Sequence, residues 1–395
     1  MQTVDSYNFT NKRALIRVDF NVPLNDSFEI TDDSRMTAAL PTIQKILKDG
    51  GSVVLMSHLG RPKNGPESAF SLKHLVSHLS KLTKSDVLFT EDCIGDGAFE
   101  KSKSLPNGTI LLLENLRFYK EETAGDKDFA SALARHGDIY VNDAFGTAHR
   151  AHASTSIVAQ FFEHRCFGYL MANEVANAKK LMSNPERPFT SIVGGAKVSD
   201  KILIIENLLN VADHIIIGGG MAYTFKVAQG GTIGNSLFEE ERVTTCKEIL
   251  EKAKSKGVQI HLPEDSVVAD DFSNDANTSV CESDKIPSGW MGLDIGDKAS
   301  RAFSDVLTKS KTILWNGPMG VFEMSKFENG TKAVAKAVAN ATKAGAFSLI
   351  GGGDSSAAVK KFGFTNDVSY VSTGGGALLE FFEGKELPGI AAIES

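Results

Sequence analysis

The first half of the sequence places charged and amide side chains directly after short apolar runs. Asp19 and Asn21 follow the run 14–18, and the later runs end in the same way. Because ligands of parallel α/β sheets sit beyond the carboxyl ends of strands, these side chains should converge on one face. Guanidinium groups match the oxygens of carboxylates and phosphates, which indicates a small, multiply anionic ligand. The further polar residues of this set are His58, Arg61, Glu114, Arg117, Asn142, Asp143, His149, Arg150 and His152, with Arg35 from a helix start. Each could alternatively be a solvated loop residue.

The second half instead ends its apolar runs in glycine. Glycine lets the backbone approach a ligand closely and point its amides at phosphate, so five such turns indicate a polyphosphate lying across a sheet. Asp354 is the carboxylate inside these turns and a candidate Mg²⁺ contact, with helix capping as the alternative. The turns are Gly194–Gly195, Gly218–Gly220, Gly317–Gly320, Gly351–Gly353 and Gly374–Gly376.

Lys197 and Lys201 follow the first of these glycine turns. The apolar spacing of 198, 202, 205 and 209 predicts a helix, on which two lysines four apart share one side. Cations are disfavoured at the positive end of a helix, so this placement indicates a stronger negative charge nearby. A strand-to-helix turn with solvated lysines is the alternative.

Alternating strand and helix patterns predict an α/β fold with two Rossmann-like lobes, each a parallel sheet flanked by helices. A long helix over 169–181, ending in a Pro-containing breaker, should join the lobes. Further helices are predicted at 36–47, 72–82, 129–135, 151–162 and 377–383, before a docked tail. The predicted strands are 14–18, 53–56, 110–113, 139–141, 192–193, 215–217, 259–262, 312–314, 348–350 and 370–371.

Composition excludes several classes of protein. The chain has 395 residues, enough for two domains, and a net charge of −7, which argues against a nucleic-acid or anionic-membrane partner. Its four cysteines are scattered, and His149 and His152 have no third ligand at metal spacing. With no signal peptide or membrane span expected, the chain is predicted to be cytoplasmic.

Nine blocks, in order and across nearly the whole chain, together resemble the phosphoglycerate kinase family. That family reversibly transfers a phosphoryl group between 1,3-bisphosphoglycerate and ADP, giving 3-phosphoglycerate and ATP. The resemblance implies an N-terminal lobe for the acid substrate, a C-terminal lobe for the nucleotide, and a monomer. The blocks start at Arg17, Ser57, Glu114, Asp143, Gly194, Gly218, Leu314, Gly351 and Ser372.

The resemblance also implies domains and site residues. The domains are 1–168 with 378–395, a hinge helix at 169–187, and 188–377. Arg35, Lys197 and Gly375 are the implied catalytic residues, and Asp354 the Mg²⁺ contact. The implied substrate-binding residues are Asp19, Phe20, Asn21, Arg35, His58, Leu59, Gly60, Arg61, Arg117 and Arg150. The implied ADP/ATP-binding residues are Lys201, Gly219, Gly292, Asn316, Pro318, Glu323, Gly352, Gly353, Asp354 and Ser355.

The departures from the family pattern are few. Ser355 stands where Thr is frequent, Leu378 where Ser is frequent, and Asp297 follows Gly296 where Pro is common. They put only a helix start and a loop shape in doubt, because no charged site residue is lost.

Two other hypotheses about the function account for parts of this pattern. A nicotinamide-dependent dehydrogenase would share the layering, but the chain lacks its G-x-G-x-x-G fingerprint. A non-catalytic anion-binding protein would keep the arginines without needing Lys197, Lys201 or Asp354. The kinase hypothesis needs no general base, because the substrate carboxylate that accepts or releases the phosphoryl group is already ionised at pH 7.

Overall fold

The computed structural model describes residues 1–63 and 65–395 and divides into two compact units. The first unit comprises Met1–Ala176 and Glu386–Ser395, and the second comprises Asn177–Lys385. The sequence placed the first boundary at 168 and returned the chain to the first lobe at 378. Residues 378–385 belong instead to the second unit, where the helix Gly376–Phe382 packs against the helix Ile202–Leu208.

The first unit is built on a six-stranded parallel sheet, as predicted. Its strand order is β3-β4-β2-β1-β5-β6, and every pair is parallel. The four inner strands are almost entirely buried, which explains why they appear in the sequence as continuous apolar runs. The strands are β1 (Arg13–Val18), β2 (Ser52–Met56), β3 (Val87–Phe89), β4 (Ile110–Leu112), β5 (Ile139–Asp143) and β6 (Arg165–Phe167).

Helices cover this sheet, and a terminal helix returns to it. Two of the strands, β3 and β6, are short edge strands that the sequence pattern did not indicate. The predicted helix 151–162 is wrong, because the chain there forms turns and a short 3₁₀ segment, Ile157–Phe161. The helices are α1 (Ser34–Lys48), α2 (Val76–Thr83), α3 (Asp96–Lys103), α4 (Lys120–Ala124) and α5 (Lys127–Ala134).

The helix α6 (Tyr169–Ser183) begins in the first unit and ends in the second. Its predicted position is confirmed. The side chain of Asp143, at the end of β5, accepts a hydrogen bond from the Met171 amide at 3.1 Å, which satisfies one of the free amides of the helix start.

The second unit is also built on a six-stranded parallel sheet, with the order β10-β8-β7-β15-β16-β17. A three-stranded antiparallel sheet, β12-β11-β14, and a two-stranded pair, β13-β9, extend it. The strands are β7 (Phe189–Val193), β8 (His214–Ile217), β9 (Thr232–Ile233), β10 (Gln259–His261), β11 (Asp265–Ala269), β12 (Thr278–Glu282), β13 (Lys285–Ile286), β14 (Met291–Ile295), β15 (Thr312–Asn316), β16 (Phe347–Gly351) and β17 (Tyr370–Val371).

Seven helices follow α6 in the second unit, and an eighth, α14, follows in the first. Asp297, one of the departures from the family pattern, lies in the first turn of its helix after Gly296. The buried Leu378 occupies the side of Gly351 where a Cβ would stand. The helices are α7 (Ile202–Leu208), α8 (Met221–Ala228), α9 (Val243–Lys256), α10 (Asp297–Leu307), α11 (Asn329–Lys343), α12 (Gly353–Lys361), α13 (Gly376–Phe382) and α14 (Pro388–Glu394).

Candidate functional site

At the carboxyl edge of the first sheet, Asp19 and Asn21 form a hydrogen-bonded loop after β1. Asp19 Oδ2 accepts from Arg35 Nη1 at 2.8 Å, and Asn21 Oδ1 accepts from the Gly60 amide at 2.8 Å. Arg35 reaches this loop from the first turn of α1. The structure therefore brings together four residues that the sequence predicted to share one site.

Arg17, the fifth residue of β1, is almost fully buried at this edge. Its Nε donates to Ser154 Oγ at 2.9 Å, its Nη1 donates to the Val18 carbonyl, and its Nη2 lies 3.1 Å from His58 Nδ1. In the sequence, Arg17 was identified only as the first residue of a matching block. An arginine inside an otherwise apolar strand was the signal, because buried charge requires dedicated partners.

Ser154 is also hydrogen-bonded to the buried carboxylate of Glu122. Ser154 donates to Glu122 through its hydroxyl at 2.6 Å and through its amide at 2.9 Å. Burial raises the pKa of Glu122, while Arg17 and the Ser154 hydrogen bonds act in the opposite direction. His152 Nδ1 lies 3.9 Å from the same carboxylate.

Two histidines of this cluster are held neutral. Burial, and then the positive charges of Arg17 and its neighbours, lower the pKa of His58 well below its usual range. The same causes lower the pKa of His152 to about 4. At neutral pH the positive charge of this site therefore comes from arginine.

Arg117 and the loop after β2 complete the edge. Arg117 Nη1 donates to the Gly60 carbonyl at 2.9 Å, and the Leu59 amide donates to Asn115 at 3.2 Å. Phe20 is buried, and its amide donates to Ser57 Oγ at 2.8 Å. Arg61 and Arg150 are both exposed, and Arg61 lines a surface cavity together with Arg117.

In the second unit, the glycine loops after β7 and β15 pack directly on each other. A Cβ on Gly194 would lie 2.1 Å from the Pro318 carbonyl oxygen, and one on Gly317 would lie 2.1 Å from the Gly194 carbonyl oxygen. Gly219 adopts φ +69°, and a Cβ there would lie 2.6 Å from the Gly195 oxygen. Part of this glycine pattern thus serves close backbone packing rather than ligand contact alone.

Beside these loops lies a cavity of about 510 Å³, within the usual range for small-molecule sites. Five predicted nucleotide residues line it. Apolar residues that were not predicted from the sequence also line it, including Leu237 and Phe272, which are 50% and 58% exposed. Large apolar side chains close to acidic residues in the sequence were the available signal, since Phe272 follows Asp271 and Leu237 lies two residues before Glu239. The predicted lining residues are Gly219, Gly292, Pro318, Glu323 and Asp354.

Lys201 lies at the start of α7 and is hydrogen-bonded to Asn316 Oδ1. Burial lowers the pKa of Lys201, against the opposing effect of Asp200, Asp354 and Glu383. Asn316 in turn donates to the Gly351 carbonyl at 2.9 Å, so the loops after β7, β15 and β16 are tied together.

Lys197 is exposed in the loop between β7 and α7. The prediction that it shares a helical face with Lys201 is wrong, because α7 begins only at Ile202. The turn closed by the Lys201 amide on the Val198 carbonyl at 2.8 Å occupies the preceding residues. Lys197 is free of the helix and can reach away from it.

Two further glycine turns start helices. Gly352 (φ +89°) and Gly375 (φ +48°) are the N-caps of α12 and α13. Gly353 is exposed in the first turn of α12, whereas Ser355 is buried and its Oγ accepts from the Gly317 amide at 2.6 Å. Asp354 is exposed at the second position of α12, so it is not the residue that caps this helix.

Metal-ligating side chains do not cluster in residues 1–63 and 65–395, where no group of three or more His, Cys, Asp and Glu could hold an ion. The same residues contain no helix that is long and apolar enough to cross a bilayer.

An arginine cluster on one parallel sheet and glycine loops on another suit an α/β enzyme that acts on phosphorylated compounds. A sequence model of the family described as phosphoglycerate kinase matches residues 4–385. The phosphoglycerate kinase of Porphyromonas gingivalis is 53% identical to this chain, over 99% of the chain and 100% of that protein. The "Phosphoglycerate kinase 3, cytosolic" of Arabidopsis thaliana is 51% identical, over 99% of the chain and 98% of the relative.

Solved structures agree with this match. The phosphoglycerate kinase of Coxiella burnetii is 43% identical and superposes with a TM-score of 0.91, covering 99% of this chain and 98% of the other. The enzyme of Pyrococcus horikoshii, at 33% identity, gives 0.84 over 100% and 98%. The chain therefore belongs to the phosphoglycerate kinase family. It is accordingly a phosphotransferase with a carboxyl group as acceptor.

Proposed function

We propose that the chain catalyses the reversible transfer of a phosphoryl group between 1,3-bisphosphoglycerate and ADP, giving 3-phosphoglycerate and ATP. The observation that supports the proposal is that the two sheets end in different kinds of chemical group. One ends in arginine, amide and neutral histidine side chains, and the other ends in glycine loops beside an apolar cavity.

The acid substrate is assigned to the first unit. Its carboxylate or phosphate oxygens would accept hydrogen bonds from the arginines of the cluster, because guanidinium groups bind both kinds of anion in a bidentate manner. Asp19 and Asn21 would bind the substrate hydroxyl, since each carries an oxygen that can accept a hydrogen bond from it. The proposed contacts are Asp19, Phe20, Asn21, Arg35, His58, Leu59, Gly60, Arg61, Arg117 and Arg150.

The nucleotide is assigned to the second unit. The apolar walls of the cavity would hold the base, and the exposed carboxylate of Glu323 at its rim would bind the ribose hydroxyls. The phosphates would lie along the amides at the start of α12 and beside Lys201. The proposed contacts are Lys201, Gly219, Gly292, Asn316, Pro318, Glu323, Gly352, Gly353, Asp354 and Ser355.

The chemistry requires positioning and charge neutralisation rather than proton transfer. In the ATP-forming direction the leaving group is a carboxylate, and in reverse the nucleophile is one, so no general base is needed. Lys197, Arg35 and the amides around Gly375 would stabilise the charge on the equatorial oxygens of the transferring phosphoryl group.

Asp354 fits a Mg²⁺ ion that arrives with the nucleotide. Mg²⁺ is commonly bound by one or two carboxylates together with substrate phosphates and water, and Asp354 is an exposed carboxylate on the wall of the cavity. When bound, the ion would neutralise phosphate charge. Asp354 would orient the metal–nucleotide complex relative to Lys201.

Because the two substrates are assigned to different units, we infer that turnover requires closure about the 169–187 segment. Closure would also exclude water, which otherwise hydrolyses the acyl phosphate. Small-angle scattering should show compaction when both ligands are bound, and an unchanged radius of gyration would contradict a hinge. We further propose a monomer in the cytoplasm, the compartment that the name of the Arabidopsis relative states for that protein.

A coupled assay tests the activity. The purified chain, with 3-phosphoglycerate, ATP and Mg²⁺, should form 1,3-bisphosphoglycerate, detected as NADH oxidation by a coupling dehydrogenase. Omitting 3-phosphoglycerate or adding excess EDTA should abolish the signal. An inactive but folded protein would contradict the proposal.

A further inference from the structure

The contact between Arg17 and His58 determines the position of a proton. Arg17 Nη2 lies 3.1 Å from His58 Nδ1, and both residues are buried. A guanidinium group has only donors, so a hydrogen bond at this distance requires that Nδ1 accept it. The ring proton of His58 then resides on Nε2.

The surrounding charges agree with this assignment. Asp19 Oδ1 also faces Nδ1, but at 4.0 Å, beyond hydrogen-bond distance. A proton on Nδ1 would point at the Arg17 N–H instead. The charges of Arg17, Arg35 and Arg117, with His152, oppose a second proton, and together with burial they lower the pKa of His58.

The position of Arg17 is itself determined by Glu122. Arg17 Nε donates to Ser154 Oγ at 2.9 Å, and the Ser154 hydroxyl donates to Glu122 Oε1 at 2.6 Å. The Ser154 amide holds the other carboxylate oxygen at 2.9 Å. Since the hydroxyl proton is used toward Glu122, the oxygen must accept from Arg17, which orients the guanidinium group toward His58.

We propose that Glu122, Ser154 and Arg17 are positioning residues that hold His58 as the neutral Nε2–H tautomer, through which His58 donates a hydrogen bond to the acid substrate. The substrate part of this inference rests on the proposed function, whereas the tautomer does not. Glu122 and Ser154 act at a distance, by orienting Arg17.

The tautomer can be read directly by NMR. In the ligand-free, full-length protein labelled with ¹⁵N-histidine, long-range ¹H–¹⁵N correlation at pH 7 should show one His58 pattern, with a protonated Nε2 and an unprotonated Nδ1. The chain has nine histidines, so a His58→Gln variant assigns the signals. A proton on Nδ1, an equal mixture of tautomers or a doubly protonated ring would overturn the proposal.

Arg17→Lys tests the positioning role, because it keeps the charge but removes the planar fork. A second His58 tautomer should appear, and the KM for 3-phosphoglycerate should rise about fivefold to tenfold, the usual effect of losing one hydrogen bond. Arg13→Lys makes the same change on the same strand, where Arg13 pairs with Asp138 at 3.1 Å, and should leave both readouts unchanged. Lower stability of Arg17→Lys with the His58 signals unchanged would show that Arg17 is merely structural.

If Arg17→Lys does not fold, Ser154→Ala serves instead. It should also mix the tautomers, and Ser154→Thr, which keeps a hydroxyl group, should restore the single pattern. A single Nε2–H pattern in Ser154→Ala would remove Glu122 and Ser154 from the proposal. If the wild type shows the expected tautomer but no turnover, the proposed function fails alone; turnover with the opposite tautomer defeats only this inference.

Discussion

The two units share the same sheet architecture but differ in the groups that lie at the edge where the strands end. The first unit presents side chains, three of which are held by hydrogen bonds: Arg35 to Asp19, Arg117 to the Gly60 carbonyl, and Arg17 to Ser154. The second unit presents backbone. Gly194 and Gly317 pack so closely that neither has room for a Cβ.

This difference predicts different responses to substitution. A site made of side chains loses one interaction at a time, so each change should have a graded effect on one substrate. A site made of glycine loops is limited by sterics, and adding one methyl group disturbs several loops at once. The second unit also contributes side chains such as Lys201 and Asp354, and among them the exposed Lys197 has little structural role.

The largest expected effect is that of Lys197→Ala. Because Lys197 is proposed to follow the phosphoryl group in transit, its loss should lower kcat about 10²–10³-fold, as for removal of one preorganised donor. The exposed position predicts an unchanged melting temperature. Steady-state kinetics in the coupled assay, with calorimetry alongside, measures both.

Lys332→Ala is the matched control, since Lys332 is exposed on α11 of the same unit. It should leave kcat unchanged. Wild-type turnover in Lys197→Ala would remove this lysine from the mechanism.

Arg117→Ala should have the next largest effect, confined to the acid substrate. A hydrogen bond to a charged group contributes about 1.5–3 kcal/mol, so the KM for 3-phosphoglycerate should rise at least about tenfold. The KM for ATP should stay constant. Arg13→Ala, on β1 away from this edge, is the control and should leave both KM values unchanged. If Arg117→Ala raised the KM values for both substrates equally, the assignment of one substrate to each unit would be contradicted.

Gly219→Ala should sharpen the steric half of the comparison. At φ +69° a Cβ would lie 2.6 Å from the Gly195 oxygen, so the free energy of unfolding should fall by about 1–3 kcal/mol and the KM for ATP should rise. Chemical denaturation and kinetics measure the two quantities.

Gly257→Ala is its control, because Gly257 has φ +74° but nothing within 4 Å of its Cβ position. It should cost stability through strain alone and leave the KM for ATP unchanged. If the two variants behave alike, backbone strain rather than loop contact explains the glycine at 219.

Acid should destabilise the first unit more than the second. Burial lowers the pKa of His136 and His152 to about 4, and lowers that of His58 as well, so below pH 6.5 the unfolded chain binds more protons and stability falls. Burial raises the pKa of Asp143 to about 7 and also raises the pKa of Glu122, and both act in the opposite direction, so these two carboxylates offset up to two of the three histidines.

In the second unit the two corresponding groups act in opposite directions. Burial lowers the pKa of His261 and raises the pKa of Asp294 to about 7. The first unit should therefore lose about 1 kcal/mol or more per pH unit below pH 6.5, and the second much less.

The acid responses of the two units can be measured separately with probes that lie in one unit each. Both tryptophans, Trp290 and Trp315, lie in the second unit, so their fluorescence reports that unit alone. Hydrogen exchange with mass spectrometry reports the first. His136→Gln should reduce the acid sensitivity, whereas His164→Gln, at an exposed position, should not. Equal loss of protection in both units would refute the contrast.

Sequence-based prediction found the two sheets, because inner strands such as 53–56 and 215–217 are continuous apolar runs. It missed the antiparallel strands β11 and β12, because their apolar residues form only the short runs 267–269 and 280–281. It also extended α7 too far toward its amino end, since apolar spacing does not show that the turn before Ile202 is closed locally.

The types of residue that follow the strands were enough to predict the site. Properties that depend on burial could not be predicted from the sequence. Arginines and glycines that follow strands could be predicted, because ligand sites lie at that edge. The supporting role of Glu122 and Ser154 could not, since these residues lie 32 positions apart and meet only after folding. The neutral state of His58 likewise depends on burial and on arginines from three other segments.

The helix α14 joins the last residues of the chain to the first unit. The Gly389 amide donates to the Ala148 carbonyl at 2.8 Å, Asn142 donates to the Gly389 carbonyl at 3.2 Å, and Ile390 and Ile393 are buried there. During synthesis on the ribosome, the first unit must therefore wait for the entire second unit to be translated before it can complete its core. Although it begins the chain, it is the last to be finished.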